Sequence, residues 1–128
     1  MIALDSSVWI ERWRRPALAA KIDAAVIERG GDLHRIVVPA TVAFETQRWL
    51  IRNVEDEQVI DALAALLDRH DRVAIDASLA RLGALTSVTT GLAHADAMIL
   101  AAARSRHATL LTYDSDFEGI PDVVVLQR

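Results

Sequence analysis

The chain has 128 residues, of which 52% are hydrophobic and 25% charged, and its formal net charge is −4 at pH 7. This composition is typical of one folded domain with a sizeable core and argues against disorder. It contains no cysteine, which excludes disulfides, thiolate catalysis and cysteine-based zinc or iron–sulfur sites. No basic stretch precedes a long apolar segment, and no apolar run reaches the ~20 residues that span a bilayer. We therefore expect a single domain over residues 1–128, located in the cytoplasm, with no membrane contact.

Short apolar segments alternate with helical patterns along the whole chain. In chain order, the pattern predicts a strand at 2–4, helices at 6–14 and 16–30, a strand at 36–38, helices at 41–53 and 55–69, a strand at 72–75, helices at 78–90 and 95–106, and strands at 109–112 and 123–125. In the helix at 55–69, the side chains predicted to face inward are Val59, Leu63, Leu66 and Leu67. Continuous apolar strands separated by helices are typical of parallel sheets covered on both faces. The predicted fold class is α/β, a three-layer α/β/α sandwich with a mostly parallel central sheet.

Five acidic residues stand at the ends of these apolar elements. Asp5 ends the first strand, and Asp114 and Asp116 follow the strand at 109–112. Glu45 lies less than two helical turns beyond the second strand, and Asp96 lies in the first turn of the most apolar helix. Ligands of open α/β sheets bind beyond the carboxyl ends of the strands. Carboxylates without His or Cys select Mg²⁺ or Mn²⁺, so this pattern predicts a cation site suited to phosphodiester cleavage.

Each acid also has a structural interpretation. Asp5 can cap the following helix, and Asp96 can stabilise the first turn of its own helix. Asp114 and Asp116 can build a tight turn, and Glu45 can pair with arginines about one turn further along its helix. What favours a shared site is that all five occupy equivalent positions at one end of the predicted sheet.

Four segments, in this order, resemble the motifs of the PIN domain family. They are Ile2-Ala3-Leu4-Asp5-Ser6-Ser7-Val8, Thr41-Val42-Ala43-Phe44-Glu45, Ala95-Asp96-Ala97-Met98-Ile99-Leu100-Ala101-Ala102-Ala103 and Leu110-Leu111-Thr112-Tyr113-Asp114-Ser115-Asp116-Phe117. The resemblance covers essentially the whole chain, and single-domain PIN proteins of this size are most often VapC toxins of bacterial toxin–antitoxin pairs. The chain departs from the family at Tyr113, where a small amide residue is frequent.

This resemblance implies an endoribonuclease that depends on Mg²⁺, with Mn²⁺ able to substitute, neutralised by a small antitoxin and forming a homodimer. The catalytic and metal-binding acids implied by position are Asp5, Glu45, Asp96 and Asp114. Asp116 would either reach a second metal or only tie the turn, and Ser7 would orient a carboxylate or a water. The alternative is a PIN-like module without activity that binds RNA or protein.

Arginine supplies nearly all the positive charge, since 13 of the 14 basic residues are Arg and only Lys21 is Lys. Arg forks suit phosphate geometry, although genomic base composition produces the same bias. The candidates for substrate binding are Arg12, Arg14, Arg15, Arg48 and Arg52. Trp9 and Trp13, four residues apart on one helix, have three interpretations: packing, stacking on an RNA base, or contact with an antitoxin helix.

Overall fold

The computed structural model describes every residue from Met1 to Arg128. Its strands are β1 (Ile2–Leu4), β2 (Val37–Pro39), β3 (Asp71–Val73), β4 (Thr109–Thr112) and β5 (Val123–Val125). Its helices are α1 (Ser6–Arg14), α2 (Pro16–Glu28), α3 (Ala40–Asn53), α4 (Glu57–Asp68), α5 (Ala77–Thr90) and α6 (His94–Ser105), and a 3₁₀ turn covers Ser115–Phe117. Every predicted strand and helix is present.

The five strands form one sheet in the order β3-β2-β1-β4-β5, and every pairing is parallel. The chain moves from β1 outward to β3 and then returns to β4 on the other side of β1. Because crossovers between parallel strands are right-handed, α1 to α4 cover one face, and α5 and α6 cover the other. The predicted α/β fold with a central parallel sheet is therefore confirmed.

One cluster of 26 buried apolar residues fills the space between the sheet and its helices. All residues of β1 and β2 are buried, as expected for strands covered on both faces. On α6, the whole stretch Ile99–Ala103 is fully buried, so the most apolar predicted helix is the most enclosed one. Phe117 is also fully buried and anchors the 3₁₀ turn that follows β4.

Several predicted ends shift by one to three residues because of local capping. Asp56 caps α4 through the Gln58 N–H, so this helix begins at Glu57 rather than at residue 55. Asp76 caps α5 through the Leu79 N–H at 2.8 Å. The backbone of Gly30 has a φ of 75°, and α2 has already ended at Glu28. A residue with φ > 0 cannot continue a right-handed helix.

The prediction for the inward face of α4 is wrong in part. Only Leu67 is buried on this helix, whereas Val59 is 42% and Leu66 49% exposed. The apolar stripe of α4 is wider than the surface that covers it. Part of the stripe therefore stays open beside α1. None of the helices combines the length and apolar character needed to cross a lipid bilayer.

Candidate metal centre and active site

Successive strands are added on one side of β1 up to β3 and on its other side from β4 onward. This switch in strand order between β1 and β4 opens a crevice at the carboxyl edge of the strands. Asp5 directly follows β1, and Asp114 follows β4 by two residues. Asp96 lies in the first turn of α6, which faces the same edge because this helix leads back to the start of β4. The topology thus brings together acids that are far apart in the sequence.

Two short hydrogen bonds hold the buried carboxylate of Asp5, which is 5% exposed. Its Oδ1 accepts from the Ser6 N–H at 2.8 Å and so caps α1, as the structural interpretation expects. Its Oδ2 accepts from the Thr112 hydroxyl at 2.7 Å. The same Thr112 oxygen accepts from the Asp114 N–H at 3.0 Å. One buried hydroxyl therefore joins the acid after β1 to the acid after β4, a role that the sequence did not reveal.

A second hydroxyl, on Ser6, connects Asp5 with Glu45. Ser6 Oγ donates to Glu45 Oε1 at 3.2 Å and lies 3.5 Å from Asp5 Oδ1. Ser7 Oγ instead accepts from the Tyr113 N–H at 3.3 Å and so contacts the segment after β4. The hydroxyl in contact with carboxylates is thus that of Ser6, one residue before the predicted one. The sequence motif contains two adjacent serines. They differ only in their position relative to the start of α1, which lies at Ser6.

Three carboxylates come within metal-binding range of one another. Asp96, Asp114 and Asp116 can each place one oxygen so that all three atoms lie within 4.8 Å. Asp114 also caps the 3₁₀ turn, since its Oδ1 accepts from the Asp116 N–H at 2.9 Å. The residues that build the turn therefore also face Asp96, so the turn-building role is compatible with a cation site.

Mutual repulsion in this cluster converges on Asp96. Burial and the charges of the other four acids raise the pKa of Asp96 from 3.8 to about 6. Burial also raises the pKa of Asp5 and of Glu45, although hydrogen bonds from Thr112 and Ser6 oppose the change. A group near like charges in a desolvated position favours its neutral form. The charges therefore need a counterion at neutral pH.

No residue of the protein supplies that counterion. The carboxylates of Asp5, Glu45, Asp96, Asp114 and Asp116 take part in none of the seven ion pairs of the structure. Glu45 in particular does not pair with an arginine. A set of carboxylate oxygens with uncompensated charge fits a hard divalent cation such as Mg²⁺ or Mn²⁺.

The arginines proposed for substrate binding fall into two groups. Arg12 pairs with Asp23 at 2.8 Å, and Arg14 and Arg15 both pair with Glu11. This group lies near the far end of α1, roughly 9 Å or more along the helix from Ser6. The second group, Arg48 and Arg52, forms no ion pair and lines a cavity on α3 with Phe44, Gln47 and Ile51.

The two tryptophans of α1 pack against each other, and Trp9 also packs against His70, which follows α4. Trp9 is 4% exposed, and its ring centroid lies 6.0 Å from that of Trp13 and 5.4 Å from that of His70. The packing interpretation is therefore confirmed for Trp9. Trp13 is half-buried at the edge of a groove of about 430 Å³ between α1 and α4, which Leu63 and Leu66 also line.

The family model described as the PIN domain matches residues 2–123 of this sequence. The chain belongs to the PIN domain family. The acidic cluster therefore lies in a PIN domain, as the four motifs indicated. No curated protein matches the sequence.

Several solved structures share this PIN fold. A toxin–antitoxin complex from Klebsiella pneumoniae superposes with a TM-score of 0.77 at 20% identity, covering 97% of this chain and 96% of that one. FitAcB from Neisseria gonorrhoeae has a TM-score of 0.69 at 22% identity, with 99% and 97% covered. VapC20 from Mycobacterium tuberculosis, described as a sarcin–ricin loop cleaving toxin, has a TM-score of 0.68 at 19% identity over the full length of both chains.

Proposed function

We propose that this PIN domain protein is a divalent-cation-dependent endoribonuclease, the VapC-type toxin of a toxin–antitoxin pair. The observation that carries the proposal is the cluster of five carboxylates without a positive partner at the switch point of the sheet. The structural neighbours support it, since they include toxin–antitoxin complexes and a toxin that cleaves the sarcin–ricin loop.

Asp96, Asp114 and Asp116 would hold the cation, and Asp5 and Glu45 would complete the site. A bound Mg²⁺ or Mn²⁺ supplies polarisation of the phosphate and a lowered pKa for the attacking water. Thr112 and the Ser6 N–H fix the orientation of Asp5, and the Ser6 hydroxyl fixes that of Glu45. Hydrolysis by water leaves a 5′-phosphate and a 3′-hydroxyl on the two RNA fragments.

The outer side of α3 provides the surface on which the RNA would lie. Arg48 and Arg52 are exposed, unpaired and one helical turn apart, directly beyond Glu45. Phe44, adjacent to Glu45 in the sequence, is 65% exposed. Arginine binds phosphate, and an exposed aromatic ring stacks on a base. Of the arginines predicted from the sequence, these two are the better candidates, because Arg12, Arg14 and Arg15 already contact acids of the protein.

The groove between α1 and α4 is the proposed docking site for an antitoxin helix. Trp13 and Leu66 present apolar surface there that no residue of the chain covers, and amphipathic helices bind such grooves. With a cognate antitoxin co-expressed as the partner, Leu66→Glu should abolish co-purification of the two proteins. Ile75→Glu, at a 52% exposed apolar residue elsewhere, should leave it intact. Equal binding by both variants would contradict this location.

We further propose that the protein acts in the cytoplasm as a homodimer. Leu85 and Val88, 59% and 84% exposed on α5, support a contact between two copies. Sedimentation of the wild type and of Val88→Glu tests this, since the variant should sediment as a monomer. A wild type that is monomeric throughout a concentration series would argue against the dimer.

The decisive experiment incubates the purified protein with total RNA in Mn²⁺, in Mg²⁺ or in chelator, and maps the new 5′ ends. We expect discrete cleavage with either metal, none in chelator, and none with Asp96→Asn purified in parallel. Asp61→Asn, at an exposed and unpaired acid of α4, is the matched control and should cleave normally. Metal and RNA binding without any cleavage would favour the PIN-like module that lacks activity.

A further inference from the structure

The side chain of Glu11 is buried although it carries a carboxyl group. Glu11 lies on α1, one turn beyond Ser7, and is 4% exposed. Its Oε1 accepts from Arg14 at 3.1 Å, and its Oε2 lies 3.5 Å from Arg15 Nε and 3.4 Å from Arg128 Nε. Buried carboxylates require such partners. Glu11 therefore holds three guanidinium groups in place, and none of them touches the proposed metal site.

Arg128 continues this connection toward the metal site. Its guanidinium carbon lies 4.5 Å from the centroid of the Tyr113 ring, in a cation–π contact. Tyr113 directly precedes Asp114, and its N–H donates to Ser7 on the same side of α1 as Glu11. The chain between β5 and Arg128 is tied to β4, since the Leu126 N–H donates to the Thr112 carbonyl at 2.7 Å. Tyr113 is thus held at its backbone by Ser7 and at its ring by Arg128.

We propose that Arg128, anchored by Glu11, is a positioning residue that holds the Tyr113–Asp116 segment in the conformation that binds a divalent cation. This inference rests on the proposed metal site. Asp116 is exposed, and its carboxylate accepts no hydrogen bond in the protein, so its position depends on the backbone that carries it. The ring of Tyr113 is attached to that backbone. Arg128 contacts the ring, and Glu11 on α1 holds Arg128 in place.

The sign of the effect separates this role from a direct electrostatic one. Arg128 is a cation, so acting through space it would repel a metal ion, and its removal would strengthen metal binding. As a positioning residue, its removal should weaken metal binding, because Asp114 and Asp116 lose their fixed geometry. The two explanations therefore predict opposite changes in affinity.

The test measures Mn²⁺ binding to the full chain by titration calorimetry, with hydrogen exchange of the amides at 113–118 in chelator as a second readout. We expect Arg128→Gln and Tyr113→Leu each to weaken Mn²⁺ binding about two- to fivefold, in line with one lost cation–π contact. Both should also speed exchange of the Asp116 amide. Tyr113→Phe keeps the ring and should match the wild type. Arg72→Gln, which removes an exposed ion pair to Asp68 at the edge of the sheet, is the matched control and should also match it.

Unchanged or tighter Mn²⁺ binding by Arg128→Gln would overturn the proposal, and so would loss of binding in Tyr113→Phe equal to that in Tyr113→Leu. If the wild type binds no Mn²⁺, the proposed metal site fails by itself. In that case the exchange rates still test whether Arg128 holds the Tyr113–Asp116 segment, since they are measured without metal. Equal exchange of the Asp116 amide in the wild type and in Arg128→Gln would then refute it.

Discussion

Replacing Asp96 by asparagine tests the cost of burying its charge and of its repulsion by the other acids in the metal-free protein. Its pKa rises from 3.8 to about 6 on folding, and a shift of about 2 units corresponds to at most about 3 kcal/mol. The side chain is only half-buried, so solvent screening reduces this value to about 1.5 kcal/mol. Asparagine also loses the favourable interaction of the Asp96 charge with the α6 dipole, which offsets about 0.5 kcal/mol of this gain. We expect Asp96→Asn to raise the free energy of unfolding by about 1 kcal/mol near pH 7.5.

The gain should depend on pH with a definite sign. Because the folded-state pKa of Asp96 lies above its unfolded value, the folded protein binds more protons between the two values. The contribution of Asp96 to stability is therefore complete below pH ~4 and is lost as the pH rises through about 6. Asparagine does not titrate, so the variant lacks this loss. At pH ~4 the two proteins should differ little, and at pH ~7.5 the variant should be the more stable.

Urea unfolding in chelator, followed by tryptophan fluorescence at both pH values, measures this difference. About 1 kcal/mol corresponds to a shift of roughly 4 °C in Tm for a domain of this size, which thermal unfolding can confirm. Asp61→Asn on α4 controls for the loss of one negative charge and should change stability little at either pH. A variant less stable than the wild type near pH 7.5, or one with the same gain at both pH values, would refute the reasoning.

Three further changes test other parts of the site. Thr112→Val removes the buried hydroxyl between Asp5 and Asp114 and should lower the free energy of unfolding by about 2 kcal/mol in urea. Thr112→Ser keeps the hydroxyl and should recover most of this stability. Equal losses in the two variants would exclude the hydroxyl as the cause. Asp5→Asn should cost about 1 kcal/mol in the same assay, because Asp5 caps α1 and accepts from Thr112; a gain like that of Asp96→Asn would contradict this. Mn²⁺ at 100 times its Kd should stabilise the wild type by about 2.7 kcal/mol and stabilise Asp96→Asn far less; equal shifts in Tm would indicate non-specific ion effects.

The fold followed from the sequence because its signals are local. The apolar strands, the alternating helices and the glycine breaks each depend on a few adjacent residues, and the parallel order then leaves few topologies. The acids could be proposed for the same reason, since Asp5 and Asp114 stand within two residues of the ends of apolar strands. Their convergence needed no knowledge of side-chain contacts, because the carboxyl ends of parallel strands share one edge.

The partners of these acids did not follow from the sequence. Thr112 and Asp5 are 107 positions apart, and their hydrogen bond exists because Leu4 pairs with Leu111 in the sheet. A shift of that register by one residue would turn the Thr112 side chain to the other face. The exposure of Leu66 was missed for a related reason, since a helical pattern shows which side is apolar but not how much of it is covered.

The structural and metal-binding interpretations of the acids are compatible, because each carboxylate oxygen accepts from more than one direction. One oxygen of Asp5 caps α1, and the other accepts from Thr112. Asp114 accepts one hydrogen bond within its own turn. These bonds orient both acids before any cation binds, which lowers the entropy lost on binding. Asp96 and Asp116 accept no hydrogen bond and keep their freedom. The cation would therefore order Asp96 and Asp116 against carboxylates that the fold has already fixed, and the contact of Arg128 with Tyr113 acts on the segment that carries Asp116.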